Sequence, residues 1–257
     1  MTPISYSQEN YAAAAAQIPW GHNILILDML EDRDQRMWYV QQTIENGWSR
    51  SMLDTWIKSN LYSRQGKAIN NFKKTLPDVQ SDLAKQTLKD PYNFSFLSLD
   101  SKHRERELEQ GLMDHIQKFL LELGDGFAFV GRQYKVEVSG QDHFIDLLFY
   151  HLKLRCYFIC EIKATEFDPH DAGQMNFYLS AVDDLLRHPD DNPSIGIILC
   201  KSKDEIKAEY ALRRISSPIG VSSYEKEIVK KLPKDLKASL PTVEEIEREL
   251  SNKEANN

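Results

Sequence analysis

The sequence predicts an α/β protein: an N-terminal helical domain followed by an αβββαβ core built on a mixed central sheet. Three observations lead there. Residues 22–61 carry apolar side chains at helical spacing, with capping signals between the segments. Residues 127–163 read as consecutive strands separated by polar turns. Residues 172–200 read as a helix followed by a buried strand, the signature of a crossover onto a parallel neighbour.

Residues 1–19 read as a flexible leader, in which Ala12–Ala16 form a short alanine run closed by Pro19. Helices are expected from His22 to Met29 and from Arg33 to Glu45. Gly47 is a stop, and Ser49 is the N-cap of a third helix whose Met52, Leu53, Trp56, Ile57 and Leu61 share one face. The second and third helices have the outline of a helix-turn-helix, which by itself is also the outline of any packed helical hairpin. This places a helical domain at 20–85. Pro77 and Pro91, with poor periodicity around them, predict a linker at 86–102.

The second domain, 103–230, opens with one apolar stripe, Leu108, Leu112, Ile116, Phe119, Leu120 and Leu123, stopped by Gly124. Phe127 to Val130 is a short apolar run, and Tyr134, Val136 and Val138 alternate with charged residues as in a half-buried strand. Ser139-Gly140 is a turn, and strands follow at 144–150 and 155–163. A helix at 172–186, a strand at 195–200, a helix at 205–213 and a strand at 219–224 complete the order. Thr242 with Glu245 forms a capping box for a charged helix and tail at 231–257.

Composition narrows the functional classes. The 257 residues are 41 % hydrophobic and 28 % charged, which excludes a disordered or collagen-like chain. Three cysteines without a C-x-x-C pair are no disulfide framework, and with no apolar run of spanning length and no signal-peptide pattern a cytoplasmic location without a membrane partner is expected. The net charge of −7 argues against coating of nucleic acid by the whole surface, though not against a local basic site. The seven histidines show no metal-binding spacing, and there is no phosphate-cradling P-loop and no G-x-S-x-G elbow.

The chemistry concentrates in Asp146, Glu161 and Lys163. Asp146 interrupts an apolar strand, where a lone carboxylate is costly unless it is paired or binds a metal. Strand alternation puts Glu161 and Lys163 on one face with Ile162 on the other. If the two strands are hairpin neighbours, two carboxylates and an ammonium converge. Such a pair suits a hard divalent cation, Mg²⁺ or Mn²⁺, with the lysine positioned to orient water and offset charge on a phosphate. The competing reading is a buried structural salt bridge. Gln174 and Tyr178 lie four apart on one helical face and bring Gln174 toward the metal or phosphate.

Asp146 followed by Glu161-x-Lys163 resembles the PD-(D/E)xK phosphodiesterase superfamily. Gln174 to Tyr178 is similar to the Q-x-x-x-Y motif of its RecB-like nucleases. More closely, Pro19-Trp20-Gly21-His22-Asn23, Gly47-Trp48-Ser49, Lys89-Asp90-Pro91-Tyr92-Asn93-Phe94, Gly131-Arg132-Gln133, Asp146 to His151, Gly173 to Asp184 and Asp191 to Gly196 resemble the YhcG family of bacterial nucleases. The resemblance covers nearly all of residues 19–250 and implies a restriction-endonuclease-like fold and a metal-dependent nuclease acting on DNA rather than RNA. It makes Asp146 and Glu161 metal ligands, Lys163 the catalytic lysine and Gln174 a supporting residue. Ile145 stands where the superfamily name has proline. Superfamily members often add a glutamate from the first helix of the core, for which Glu105 and Glu109 are the candidates; solvated surface glutamates are the other reading.

Nucleic-acid contacts are expected in two places. Between Asp54 and Asp78 lie five basic residues, Lys58, Arg64, Lys67, Lys73 and Lys74, interleaved with Trp56, Tyr62 and Phe72 and with no acidic residue. Arg132, Gln133 and Tyr178 flank the expected site. A concerted double-strand cut needs two active sites, which a homodimer would supply. The alternative function is a non-cleaving DNA-binding or protein-interaction module on the same fold.

Overall fold

The computed structural model describes residues 8–97 and 104–226, with side chains from residue 11. The charged helix and tail expected at 231–257 lie outside the described residues.

Five helices come first: α1 (Gln8–Ala15), α2 (Trp20–Met29), α3 (Arg33–Asn46), α4 (Arg50–Lys58) and the single turn α5 (Leu61–Arg64). Local chemistry sets their ends. Asp32 accepts from the Gln35 N–H to open α3, Gly47 closes it at φ 61°, and Ser49 accepts from the Met52 N–H to open α4. Ile26, Tyr39, Val40, Leu53, Trp56 and Leu61 form their common core. The expected leader is ordered from Gln8 onward. Its alanines are strong helix formers, Ile18 is buried, and Asn23 Nδ2 donates to the Ala15 carbonyl at 2.9 Å.

Then come β1 (Ile69–Asn70), α6 (Phe72–Thr75), α7 (Asp78–Thr87), β2 (Tyr92–Asn93), α8 (Glu105–Asp114), α9 (Ile116–Leu123), β3 (Phe127–Val138), β4 (Gln141–His151), β5 (Cys156–Ile162), α10 (Pro169–Leu185), β6 (Ile195–Cys200), α11 (Glu205–Leu212) and β7 (Ile219–Glu225). The sheet runs β1-β7-β6-β5-β4-β3, with β2 also paired to β7. β3, β4 and β5 form an antiparallel meander, whereas β5, β6 and β7 are parallel. The predicted mixed sheet is therefore present.

The sheet is covered on both faces. One layer joins Phe149, Phe158, Cys160 and Leu199 to Leu108, Leu112, Phe119 and Leu123 of α8 and α9. The other joins Leu148, Ile159 and Ile198 to Met175, Leu179 and Val182 of α10. A Cβ at Gly196 would collide with Met175, so this glycine sets how closely α10 lies on β6.

Two expectations are corrected. The linker at 86–102 contributes β2, and its Tyr92 and Phe94 are fully buried, Phe94 stacking on Tyr224 with centroids 5.0 Å apart. The helical domain ends before 85, because β1 pairs with β7 and Phe72, Leu76 and Ala84 belong to the sheet's core. These runs are too short to show a period. The single stripe through Leu123 is also two helices, broken at His115, whose φ and ψ of −120° and 33° leave the helical region.

Candidate active site

The site lies where β4 and β5 stop pairing. Their ladder runs from His151↔Cys156 to Leu147↔Cys160 and ends there. At the next step carboxylates replace the backbone partners. The Asp146 N–H donates to Glu161 Oε1 at 3.2 Å, and the Ile162 N–H donates to Asp146 Oδ2 at 3.0 Å. Each acid thus satisfies a backbone donor on the other strand, which fixes both side chains where the strands part.

Strand alternation holds at this end. Cys160 and Ile162 pack into the layer under α8 and α9, while Glu161 turns toward α10. Lys163 follows β5 and is held by its N–H on the Leu199 carbonyl at 2.8 Å. Its Nζ stands 3.8 Å from Glu161 Oε2. Asp168 accepts from the His170 N–H and Pro169 occupies the first turn, opening α10 so that Gln174 faces this pair. Gln174 Oε1 accepts from Lys163 Nζ at 3.4 Å, and Gln174 Nε2 donates to Glu161 Oε2 at 3.4 Å.

From the opposite side α8 presents Glu109, buried and ion-paired with Arg132 Nε. Gln133 Nε2 donates both to Glu109 Oε2 at 2.9 Å and to Asp146 Oδ1 at 3.0 Å. Gln133 adopts φ 45°, a left-handed conformation uncommon for a residue with a Cβ, just after the β3 bulge at Phe129/Gly131. Glu105, at the first turn of α8, is exposed and acts electrostatically on Glu161 and Lys163.

The electrostatics are unbalanced. Burial, then the neighbouring Asp146, pushes Glu161 up to about 8. Burial also raises Asp146, against the Ile162 N–H and Lys163. Burial alone would lower Lys163, but Glu161, Glu105, Asp171 and Asp146 outweigh it and the net shift is upward. Two close carboxylates face a single ammonium, a set of hard oxygen donors that a divalent cation would relieve. Among the described residues no group of three or more His, Cys, Asp and Glu is arranged around one metal position. The Asp146–Glu161 pair fits an ion that keeps several of its waters.

Some expected roles do not fit. Tyr178 is buried, donates to the Phe144 carbonyl at 3.0 Å and accepts from Gln174 Nε2 at 3.1 Å, so it braces Gln174 and has no surface for a nucleic acid. Arg132 is tied to Glu109 and to Gln110 Oε1 at 2.7 Å, and Gln133, exposed at the surface, is tied to Glu109 and Asp146, so the polar groups of both already have protein partners. Glu109 is a partner of Arg132 and Gln133, which weakens it as a metal ligand. Of the basic stretch, Arg64 is buried on Glu122 and Lys58 pairs with Asp54, while Lys67, Lys73 and Lys74 are exposed. Trp56 and Phe72 are core residues and Tyr62 packs on Trp38, so the proposed stacking surface is absent there. The bracing by Gln133 left no trace in the sequence beyond Gly131 breaking the alternation.

A mixed sheet flanked by helices, with Asp146 and Glu161-x-Lys163 at the fork of two strands and a Gln-x-x-x-Tyr helix over them, defines the PD-(D/E)xK class of nuclease domains. The family model described as the YhcG PDDEXK nuclease domain matches residues 85–241, and the DUF1016 N-terminal domain matches residues 4–64. The chain belongs to the YhcG PDDEXK nuclease family. It is 33 % identical over 225 residues to the YhcG protein of Escherichia coli (strain K12), an alignment covering 86 % of this chain and 59 % of that relative's length. Among solved structures, a repair endonuclease from Pyrococcus abyssi is similar at 14 % identity and a TM-score of 0.32, over 50 % of this chain and 49 % of that one. The EndoMS–dsDNA2 complex is similar at 14 % identity and a TM-score of 0.34, over 50 % and 45 % of the two chains. Among the described residues no helix is long and apolar enough to cross a membrane.

Proposed function

We propose that this nuclease domain hydrolyses phosphodiester bonds in DNA with Mg²⁺ or Mn²⁺. The observation that carries this reading is the reciprocal Asp146–Glu161 arrangement at the strand fork, with Lys163 as its single cation. Asp146 and Glu161 would hold the ion, and exposed Glu105, which acts electrostatically on Glu161 and Lys163, is a candidate third carboxylate. When bound, the metal supplies Lewis acidity toward a phosphoryl oxygen and toward a bound water. Lys163 orients the attacking water and offsets charge that grows on the phosphate. Gln174 keeps Glu161 and Lys163 in register, and Tyr178 keeps Gln174 in place. Gln133 holds Asp146 from the other side. Exposed Lys67, Lys73 and Lys74 provide phosphate contacts away from the site, and a homodimer would supply the two active sites of a concerted double-strand cut.

Calorimetric titration of Mn²⁺ into the metal-free protein tests the ligand set. Saturable binding lost in Asp146→Ala supports it; equal binding by wild type and variant overturns it.

A further inference from the structure

The outer face of α2 is apolar and open. From Trp20 to Met29 the helix carries one carboxylate, Asp28, and no lysine or arginine. A surface helix normally sets an apolar stripe against a charged opposite face, whereas a helix apolar all round is one that is covered all round. The inner side of α2 is accounted for: His22, Asn23 and Ile26 are buried, and Ile26 joins the core of the N-terminal helices. On the outer side Trp20 is 73 % exposed, Ile24 38 % and Leu27 44 %. At about 100° per residue the three fall within about 60° of one another. Their four-then-three spacing is that of the seam between two paired helices. Single exposed apolar side chains are ordinary; three along one helical face form a patch.

The charges beside this seam identify the partner that fits. Gly21 and Asp28 lie on one flank of it, about 10 Å apart along the axis. Arg50 lies over Gly21, its Cδ 3.7 Å from where a Cβ would stand. Arg50 and Asp28 are exposed, and neither has an ion-pair partner within 4 Å among the described residues. Arg36, at the Asp28 end, donates to the Leu27 and Leu30 carbonyls. In an antiparallel pair of α2 helices about a two-fold axis at Ile24, Trp20 meets Leu27 of the second copy. The same rotation sets each Arg50 against Asp28 of the other copy, because the two charges share a flank and sit at opposite ends. A parallel pair would gather both arginines at one end and both aspartates at the other.

We propose that the outer face of α2 is a homodimer interface: α2 pairs antiparallel with α2 of a second copy of this chain, through Trp20, Ile24 and Leu27 and two Arg50–Asp28 ion pairs. The surface uses no catalytic residue, so its test is independent of the strand fork. A helix about 15 Å long makes a contact below the standard interface size, and association is expected at micromolar concentrations.

The test is sedimentation equilibrium of the full chain in EDTA, over roughly 1 to 200 µM. Wild type is expected to pass from the monomer mass to twice that mass across the range. Ile24→Lys sets two like charges at the axis and is expected to weaken association at least about tenfold, as at the centre of an interface. Arg50→Glu and Asp28→Arg, each alone, are expected to weaken it severalfold. Mixed with each other, these two variants are expected to associate at least as tightly as wild type, because only the mixed dimer pairs Glu at 50 with Arg at 28 and Arg50 with Asp28. All three substitutions fall at exposed positions, and circular dichroism checks the fold. Wild type that stays monomeric throughout leaves the face to another occupant and overturns the proposal. A dimer that survives Ile24→Lys places the interface elsewhere and overturns it too. Mixing without any gain in association rules out the antiparallel pairing and likewise overturns it.

Discussion

At the scale of single residues, the strand fork trades stability for chemistry. Glu161 is buried beside a second carboxylate, and its folded pKa of about 8 lies above the ordinary carboxylate value of 4.5. The folded state therefore holds a proton that the unfolded state releases, and stability falls as pH rises from about 4.5 to 8. Glu161→Gln removes that cost, so in EDTA at pH 7–8 it is expected to be more stable than wild type by about 1–3 kcal/mol while losing cleavage; urea unfolding measures the first effect, and equal or lower stability would show the charge is already compensated. Gln133→Leu should leave the fold intact and weaken Mn²⁺ binding, because Asp146 then loses its donor at 3.0 Å. Unchanged metal affinity would reduce Gln133 to packing. The acids and the lysine were legible in the sequence because charged residues inside apolar strands are costly and stand out. Gln133 and Tyr178 were not legible in these roles. A left-handed φ at a bulge and a hydroxyl bonded across to the Phe144 carbonyl depend on the register of strands distant in sequence.

At the scale of elements, periodicity carried the prediction wherever a segment was long enough to show it. β4, β5, α10 and β6 were anticipated because each spans several repeats of its pattern. β1 and β2 have two residues each, too few for alternation to appear, and they are strands because β7 offers them an edge. The break at His115 likewise escapes a stripe that continues on both sides of it. The contact of α10 with β6 is close at Gly196, so Gly196→Ala is expected to cost about 1–3 kcal/mol by overpacking against Met175. The cost should shrink in a Met175→Ala background, which a double-mutant cycle in denaturant measures. Neutralising Lys67, Lys73 and Lys74 together should weaken DNA binding and flatten its salt dependence by up to about 0.9 in log–log slope per lost phosphate contact. An unchanged slope would remove this surface from the DNA path.

At the scale of the whole molecule, buried charges and thiols set the response to pH and the joining of its parts. Arg64 of α5 and Glu122 of α9 form a buried ion pair between the helical segment and the core of the sheet domain. Glu122→Leu leaves Arg64 and Lys89 as uncompensated buried cations and is expected to cost about 3–5 kcal/mol. Arg64→Met combined with it should recover part of that loss, as read by thermal unfolding. Burial pushes the thiols of Cys156 and Cys200 up to about 12 from an ordinary 9, and raises Cys160 as well. Above pH 9 the unfolded chain releases these protons and the folded one does not, so stability falls by up to about 1.4 kcal/mol per pH unit for each thiol. Lys89, lowered to about 8 by burial, acts oppositely between pH 8 and 10.5, but it is one group against three. Net alkaline destabilisation is therefore expected. The central claim is that Asp146, Glu161 and Lys163 form a metal-dependent cutting site for DNA. The most direct test incubates linear, supercoiled, single-stranded and branched DNA, and RNA, with wild type, Asp146→Ala and Lys163→Ala in Mg²⁺, Mn²⁺ or EDTA, after circular dichroism shows all three proteins folded. The account predicts DNA cleavage by wild type only with metal, reduced at least about a hundredfold in both variants. Cleavage that persists in either variant or in EDTA, or binding of DNA without any cleavage, would contradict it.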